Sequence, residues 1–167
     1  MFVNETVSNF PSITEIIFKP INKKYLKVIL LNVILTFSAI LIGLFLADYF
    51  NVFEKTSKYV YLFYIVFIVV YFVVSLLFYV SFKKRKYAVR EKDITYKSGV
   101  FFIKLTTVPF SRIQHIEVDE GLFSRFFKLA SISVFTAGDS KDDLVIKGIA
   151  KETALEIKEF ISTKINE

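Results

Sequence analysis

The groups in this chain with the chemistry to act as acid, base, nucleophile or ligand are few. There is one histidine, His115, no cysteine, and a short acidic cluster, Asp139, Asp142 and Asp143. A zinc site draws its ligands from several His and Cys side chains, and this chain has too few to supply them. The aspartates lack the spacing and the distal glutamate of a calcium-binding loop, and acidic residues are common in polar turns. His115 sits where Gln114, Ile116 and Val118 alternate to one face, which turns it outward with Glu117. No nucleophile or second acid accompanies it. Gly99, Gly121, Gly138 and Gly148 are dispersed turn glycines and form no phosphate-cradling loop. No catalytic residue, metal or cofactor is expected.

Two other groups invite attention. Arg112 can bind a phosphate or a carboxylate, and an internal salt bridge suits it equally. Gln114, placed on the inward face, reads as an internal hydrogen-bonding residue. Leu122, Phe123, Phe126, Phe127 and Leu129 form a dense apolar patch, expected to plug one end of a domain. Its alternative is a docking surface for a partner or a bilayer.

The elements that must position these groups begin with two apolar runs. Hydrophobic types make up 54% of the residues, including 20 Phe and 9 Tyr. Val28 to Ala47 and Tyr59 to Phe82 contain no charged residue. As helices they reach roughly 30 and 36 Å, enough for a hydrocarbon core of about 30 Å. A chain of 167 residues is too short to wrap two such helices in protein. The expected organisation is an N-terminal cytoplasmic or interfacial segment (1–24), a transmembrane hairpin (25–82) and a cytoplasmic domain (83–167). The hairpin helices are expected at about 28–47 and 59–82, with an external loop at 48–58.

Orientation follows from the flanks. Lys19, Lys23, Lys24 and Lys27 precede the first helix, and Lys83, Lys84, Arg85 and Lys86 follow the second. The loop between has Lys55 and Lys58 balanced by Asp48 and Glu54, so both termini are expected in the cytoplasm of a multi-pass inner or plasma membrane protein. Net charge is +6, yet no nucleic-acid motif is present. Lys83, Lys84, Arg85 and Lys86 are candidate contacts for anionic headgroups.

Within the hairpin, Asn32, Thr36, Ala39, Gly43 and Ala47 form a small or polar stripe at helical spacing. Tyr64, Phe67, Tyr71, Ser75 and Phe78 form a mostly large stripe on the second helix. The expected packing sets aromatic knobs of the second helix into the small face of the first, with Tyr71 near Thr36 and Ser75 near Asn32. Neither span carries an Asp, Glu, His, Lys or Arg, which argues against a transport pathway.

After Lys86 the pattern changes to short alternating runs with turn signals. Strands are expected over Tyr87–Glu91, Ile94–Lys97, Val100–Thr107, Ile113–Asp119, Ala130–Thr136 and Leu144–Ile149. A helix with an Ala154, Ile157, Ile161 and Ile165 stripe closes the chain. This is an α+β domain whose helix covers a curved sheet.

The strings Val108-Pro109-Phe110-Ser111-Arg112-Ile113-Gln114-His115-Ile116, Glu120-Gly121, Arg125-Phe126-Phe127-Lys128-Leu129-Ala130 and Phe135-Thr136-Ala137-Gly138 occur in this order. Together they resemble the bacterial pleckstrin-homology-like membrane proteins, the YdbS-like family, from about Tyr25 onward. The resemblance implies two membrane helices followed by a PH-like fold, a bent β-barrel capped by the C-terminal helix. One departure is Lys128, where the family usually has glycine. PH-like folds mostly serve as binding scaffolds, so a non-enzymatic interaction protein is expected. Its partners would be membrane lipids and another membrane protein or a second copy. Recognition of an anionic headgroup is the alternative; an enzyme or transporter component ranks third.

Overall fold

The computed structural model describes residues 16–50, 57–137 and 144–166. Most of the 48–58 loop, the acidic turn with Asp139, Asp142 and Asp143, and residues 1–15 lie outside this set. A two-residue strand β1 (Lys19–Pro20) precedes two long helices, α1 (Tyr25–Tyr49) and α2 (Ser57–Lys84). Then come β2 (Lys86–Val89), β3 (Asp93–Ser98) and β4 (Lys104–Pro109), followed by a 3-10 turn, Phe110–Arg112. The chain continues through β5 (Ile113–Asp119), α3 (Leu122–Phe126), β6 (Leu129–Thr136), β7 (Leu144–Ala150) and α4 (Lys151–Asn166).

All strand pairs are antiparallel, in two sheets of order β1-β2-β3-β4 and β5-β6-β7. They share one core: Ile94 and Val108 of the first sheet cluster with Ile116, Ile132 and Ile146 of the second. The helix α4 lays Ala154, Ile157 and Ile161 into it, all buried. Thr95, fully buried, satisfies its hydroxyl against Thr107 across β3 and β4 at 2.9 Å.

The first sheet takes its edge strand from before the hairpin, Lys19 facing Tyr87 and Pro20 facing Lys86. Both helices are thus spliced into the sheet between β1 and β2. The domain is not confined to 83–167. The connection is short: α2 runs through Lys84, β2 starts at Lys86, and Arg85 alone joins them.

Two β-bulges explain where alternation misleads. In the second sheet Ile113 faces Thr136 and His115 faces Phe135, so Gln114 is an extra residue without a partner. The bulge lets both Ile113 and Ile116 point inward, at odd and even positions, and leaves Gln114 exposed. The inward placement expected for Gln114 is therefore corrected. The second bulge lies at Gly148, skipped between Ala130–Ile149 and Ser131–Lys147.

The run Val100–Thr107 is also not one strand. Gly99 adopts φ +119°, and a Cβ there would stand 1.8 Å from the Phe102 carbonyl oxygen. The chain instead folds into a tight turn that delays β4 to Lys104.

Lys128, at the position where glycine is expected, has φ 56°. It follows the last turn of α3, and its N–H donates to the Arg125 carbonyl, in a left-handed helix stop that glycine adopts without strain. Replacing Lys128 with glycine is expected to stabilise the protein by roughly 1 kcal/mol, the strain relieved exceeding the entropy added to the unfolded chain. Thermal unfolding in detergent checks this. A lower melting temperature for Lys128→Gly would show that the lysine side chain contributes more than its backbone strain.

Candidate functional site

Of the residues singled out in the sequence, Gly148 and Lys83 to Lys86 lie at the junction between hairpin and domain, whereas Arg112, Gln114 and His115 lie in the 3-10 turn and at the start of β5, away from it. The bulge at Gly148 turns its carbonyl out of the ladder, and that oxygen accepts the Asn22 N–H at 2.8 Å. The Asn22 side chain accepts the Lys24 N–H at 2.9 Å, and its carbonyl accepts the Tyr25 N–H at 2.9 Å, which starts α1. Tyr25 then seats its ring on Gly148, which has φ +84°. A glycine inside a strand signals such a bulge or close approach. Reading Gly148 as a turn residue missed it.

From Tyr25 the buried face of α1 continues through Val28, Ile29 and Val33. Tyr25, Ile29, Val33 and Phe37 are spaced four apart and form one stripe. Docking of the helix base thus fixes its rotation for the whole span. Phe37 meets Phe67 at 5.3 Å and Tyr71 at 5.2 Å between ring centroids.

This overturns the expected packing of the hairpin. Asn32, Thr36, Ala39 and Gly43 are exposed on the other side of α1, and Ala47 is partly covered. Asn32 donates to the Val28 carbonyl and Thr36 to the Asn32 carbonyl, each at 2.9 Å. Their polar groups are satisfied within the helix and need no partner from α2. On α2, Tyr64, Phe67, Tyr71 and Ser75 are half-buried while Phe78 is exposed. The Ser75 hydroxyl is buried with no hydrogen-bond partner among the described residues. A groove of about 260 Å³ remains between the helices, lined by Phe37, Leu41, Tyr64, Phe67 and Tyr71 among others.

Arg85, the single connecting residue, is half-buried, whereas Lys83, Lys84 and Lys86 are exposed. Its guanidinium donates to the Ser81 hydroxyl at 3.3 Å and lies against the phenols of Tyr25 and Tyr96. Burial raises the Tyr96 phenol above its ordinary value, Arg85 offsetting part of the rise, and burial also raises Tyr87. Both phenols stay neutral. Arg85 therefore ties the exit of α2 to the entry of α1, while Lys83, Lys84 and Lys86 project from the surface. Lys83 reaches back over the Tyr79 ring, 4.5 Å from its centroid.

The apolar patch divides. Leu129 is buried, Phe123 and Phe127 pack on the core, and Phe126 and Leu122 are 83% and 82% exposed. Phe126 is thus not part of a plug, because a short helix on a sheet can turn only one face inward. Arg112 is exposed at the end of its 3-10 turn, and its carbonyl accepts the Ala137 N–H at 3.4 Å. His115 is exposed, stacked on Phe135 at 4.3 Å and 3.6 Å from Glu117.

Beyond Val33 in α1, and from Tyr61 to Tyr79 in α2, large apolar side chains stand exposed around most of each helix. Both helices are long and apolar enough to cross a membrane. Their join to two antiparallel sheets closed by a C-terminal helix defines a membrane-helix hairpin built into a PH-like domain. The bacterial PH domain family matches residues 25–165, and the chain belongs to it.

Two relatives come from Bacillus subtilis (strain 168). UPF0699 transmembrane protein YdbT is 28% identical over 86 residues, covering 51% of this chain and 17% of YdbT. UPF0699 transmembrane protein YdbS is 33% identical over 58 residues, covering 35% of this chain and 36% of YdbS. Each match thus spans well under two thirds of the relative. A DUF1696 family protein with a pleckstrin-homology domain from Shewanella loihica PV-4 superposes with a TM-score of 0.38 at 20% identity, covering 48% of this chain and 70% of its own.

Proposed function

We propose that this chain is a non-enzymatic interaction protein that holds its PH-like domain at the cytoplasmic face of a bacterial membrane and acts with a membrane-protein partner. The observation that carries this reading is the fixed joint: Tyr25 on Gly148, β1 donated from before the hairpin, and one residue between α2 and β2. A domain fastened this way presents the same surfaces, at the same height, to anything sharing the bilayer. The basic flanks support the cytoplasmic placement of both termini. Fold-level analogy, PH-like domains serving mostly as binding scaffolds, adds to it.

The test is site-specific photocrosslinking in native membranes. A photoreactive residue replaces Thr36 or Ala39 on the outward face of α1, or Leu155 on the exposed side of α4. A partner is expected to give discrete adducts of constant mass from at least one position, and mass spectrometry separates a second protein from a second copy. Lipid adducts alone at all three positions would overturn the reading.

The exposed lysines beside the helix ends favour a second reading, recognition of anionic headgroups. Under that reading, Lys83→Gln with Lys84→Gln and Lys86→Gln removes lipid that co-purifies with the full chain, and partner adducts are absent.

A further inference from the structure

We propose that the domain presses two apolar feet, the β3–β4 turn and α3, into the leaflet that α2 leaves. The first foot follows from register. Strand β2 starts two residues after α2 ends, and Lys86 faces Lys97. Since β3 is antiparallel to β2, it returns toward the bilayer and delivers the turn after Ser98 to the level of the helix exit. That turn presents Phe101, Phe102 and Ile103 at 80%, 90% and 63% exposure. It is a built conformation: Gly99 takes φ +119° and comes so close to the Phe102 carbonyl that no side chain fits.

The second foot lies beside the other helix. Helix α3 contacts α1, and the buried face of α1 is confined to Tyr25–Val33, so α3 packs at the helix base. There Leu122 and Phe126, four residues apart, point away from the core while Phe123 and Phe127 point into it. The two feet thus stand next to different helices of the hairpin.

Lipid is the occupant that fits both. Each foot continues the apolar surface of a helix at the level where that helix enters or leaves the hydrocarbon. Each is also flanked by cations, Lys97 and Lys104 at the turn and Arg125 and Lys128 at α3, which suits anionic headgroups above buried aromatic side chains. The inference does not depend on the partner proposed above. It makes the bilayer surface a third support of the domain, beside the two helices.

The chain has no cysteine, so single nitroxide labels can be placed through Phe102→Cys and Phe126→Cys in the full-length protein. Vesicles of mixed zwitterionic and anionic phospholipid hold it. Ile42→Cys, exposed mid-span, and Ser111→Cys, at the end of the domain remote from the helix exits, serve as references. Labels at Phe102 and Phe126 are expected to shift toward the Ile42 signature, with high collision with oxygen and low collision with a water-soluble nickel chelate. A Ser111-like, water-exposed signature at either foot overturns the proposal. So does shielding from both relaxers, which would mark a protein contact.

Discussion

Replacing Gly148 with alanine is expected to be among the most damaging single substitutions in the domain, at about 3 kcal/mol. Two costs add. A residue with a Cβ held at φ +84° carries roughly 1–2 kcal/mol of backbone strain. That Cβ would also stand 2.4 Å from Cγ of Tyr25, and displacing a packed ring costs a further 1–3 kcal/mol or so. The Asn22 to Gly148 hydrogen bond at the same spot would be disturbed with it. A double-mutant cycle separates the terms. In a Tyr25→Gly background the ring and its Cβ are both gone, and Gly148→Ala is expected to cost mainly its backbone strain, so the two substitutions couple by ~1–2 kcal/mol. Thermal or denaturant unfolding in detergent measures all four proteins. Strict additivity would show that Tyr25 does not sit on Gly148 in solution.

The second large effect concerns the fragment 83–167, which sequence patterning alone presents as the whole domain. It lacks β1, so β2 becomes an unpaired edge, and it lacks the base of α1. Ile21, Tyr25, Val28, Ile29 and Val33 are all buried in the intact chain. At roughly 1.5–3 kcal/mol for each large apolar side chain, their loss is on the order of 10 kcal/mol, as large as the whole stability of a typical domain. The fragment is expected to show no cooperative thermal transition by circular dichroism and to aggregate through its open face. Joining residues 16–33 to its C-terminus through a flexible Gly-Ser linker is expected to restore a cooperative melt. A sharp transition from the bare fragment would mean that the hairpin base is dispensable.

What the sequence made legible was whatever depends on long, uniform or strictly alternating patterns. Two charge-free apolar runs announced the hairpin, and Ala130, Ile132 and Val134 are buried on β6 as their alternation requires. The α4 stripe is likewise read directly from its spacing. The failures share one physical cause, a local break in periodicity imposed by tertiary contact. At Gln114 a bulge reverses the parity that alternation assumes. At Val100 a glycine-directed turn replaces a strand of high β-propensity. On α1 the small-residue stripe satisfied every local rule for a helix interface, yet Tyr25, Val28 and Ile29, fixed by the domain, rotated it outward. Nothing within the span itself encodes that rotation. A two-residue strand such as Lys19–Pro20 has no periodicity to detect, and only its neighbours define it.

The splice between β1 and β2 also bears on how the protein reaches its native state. Under the proposed topology, Pro20 and Lys86 become neighbours only when the chain between them has crossed the bilayer an even number of times, leaving both on one side. A chain with a single inserted helix strands β1 across the membrane from its partner and leaves Gly148 without its tyrosine. Under that topology, closure of the sheet requires both helices to have inserted. A misthreaded chain leaves the core incomplete, whereas a correctly threaded one seals it.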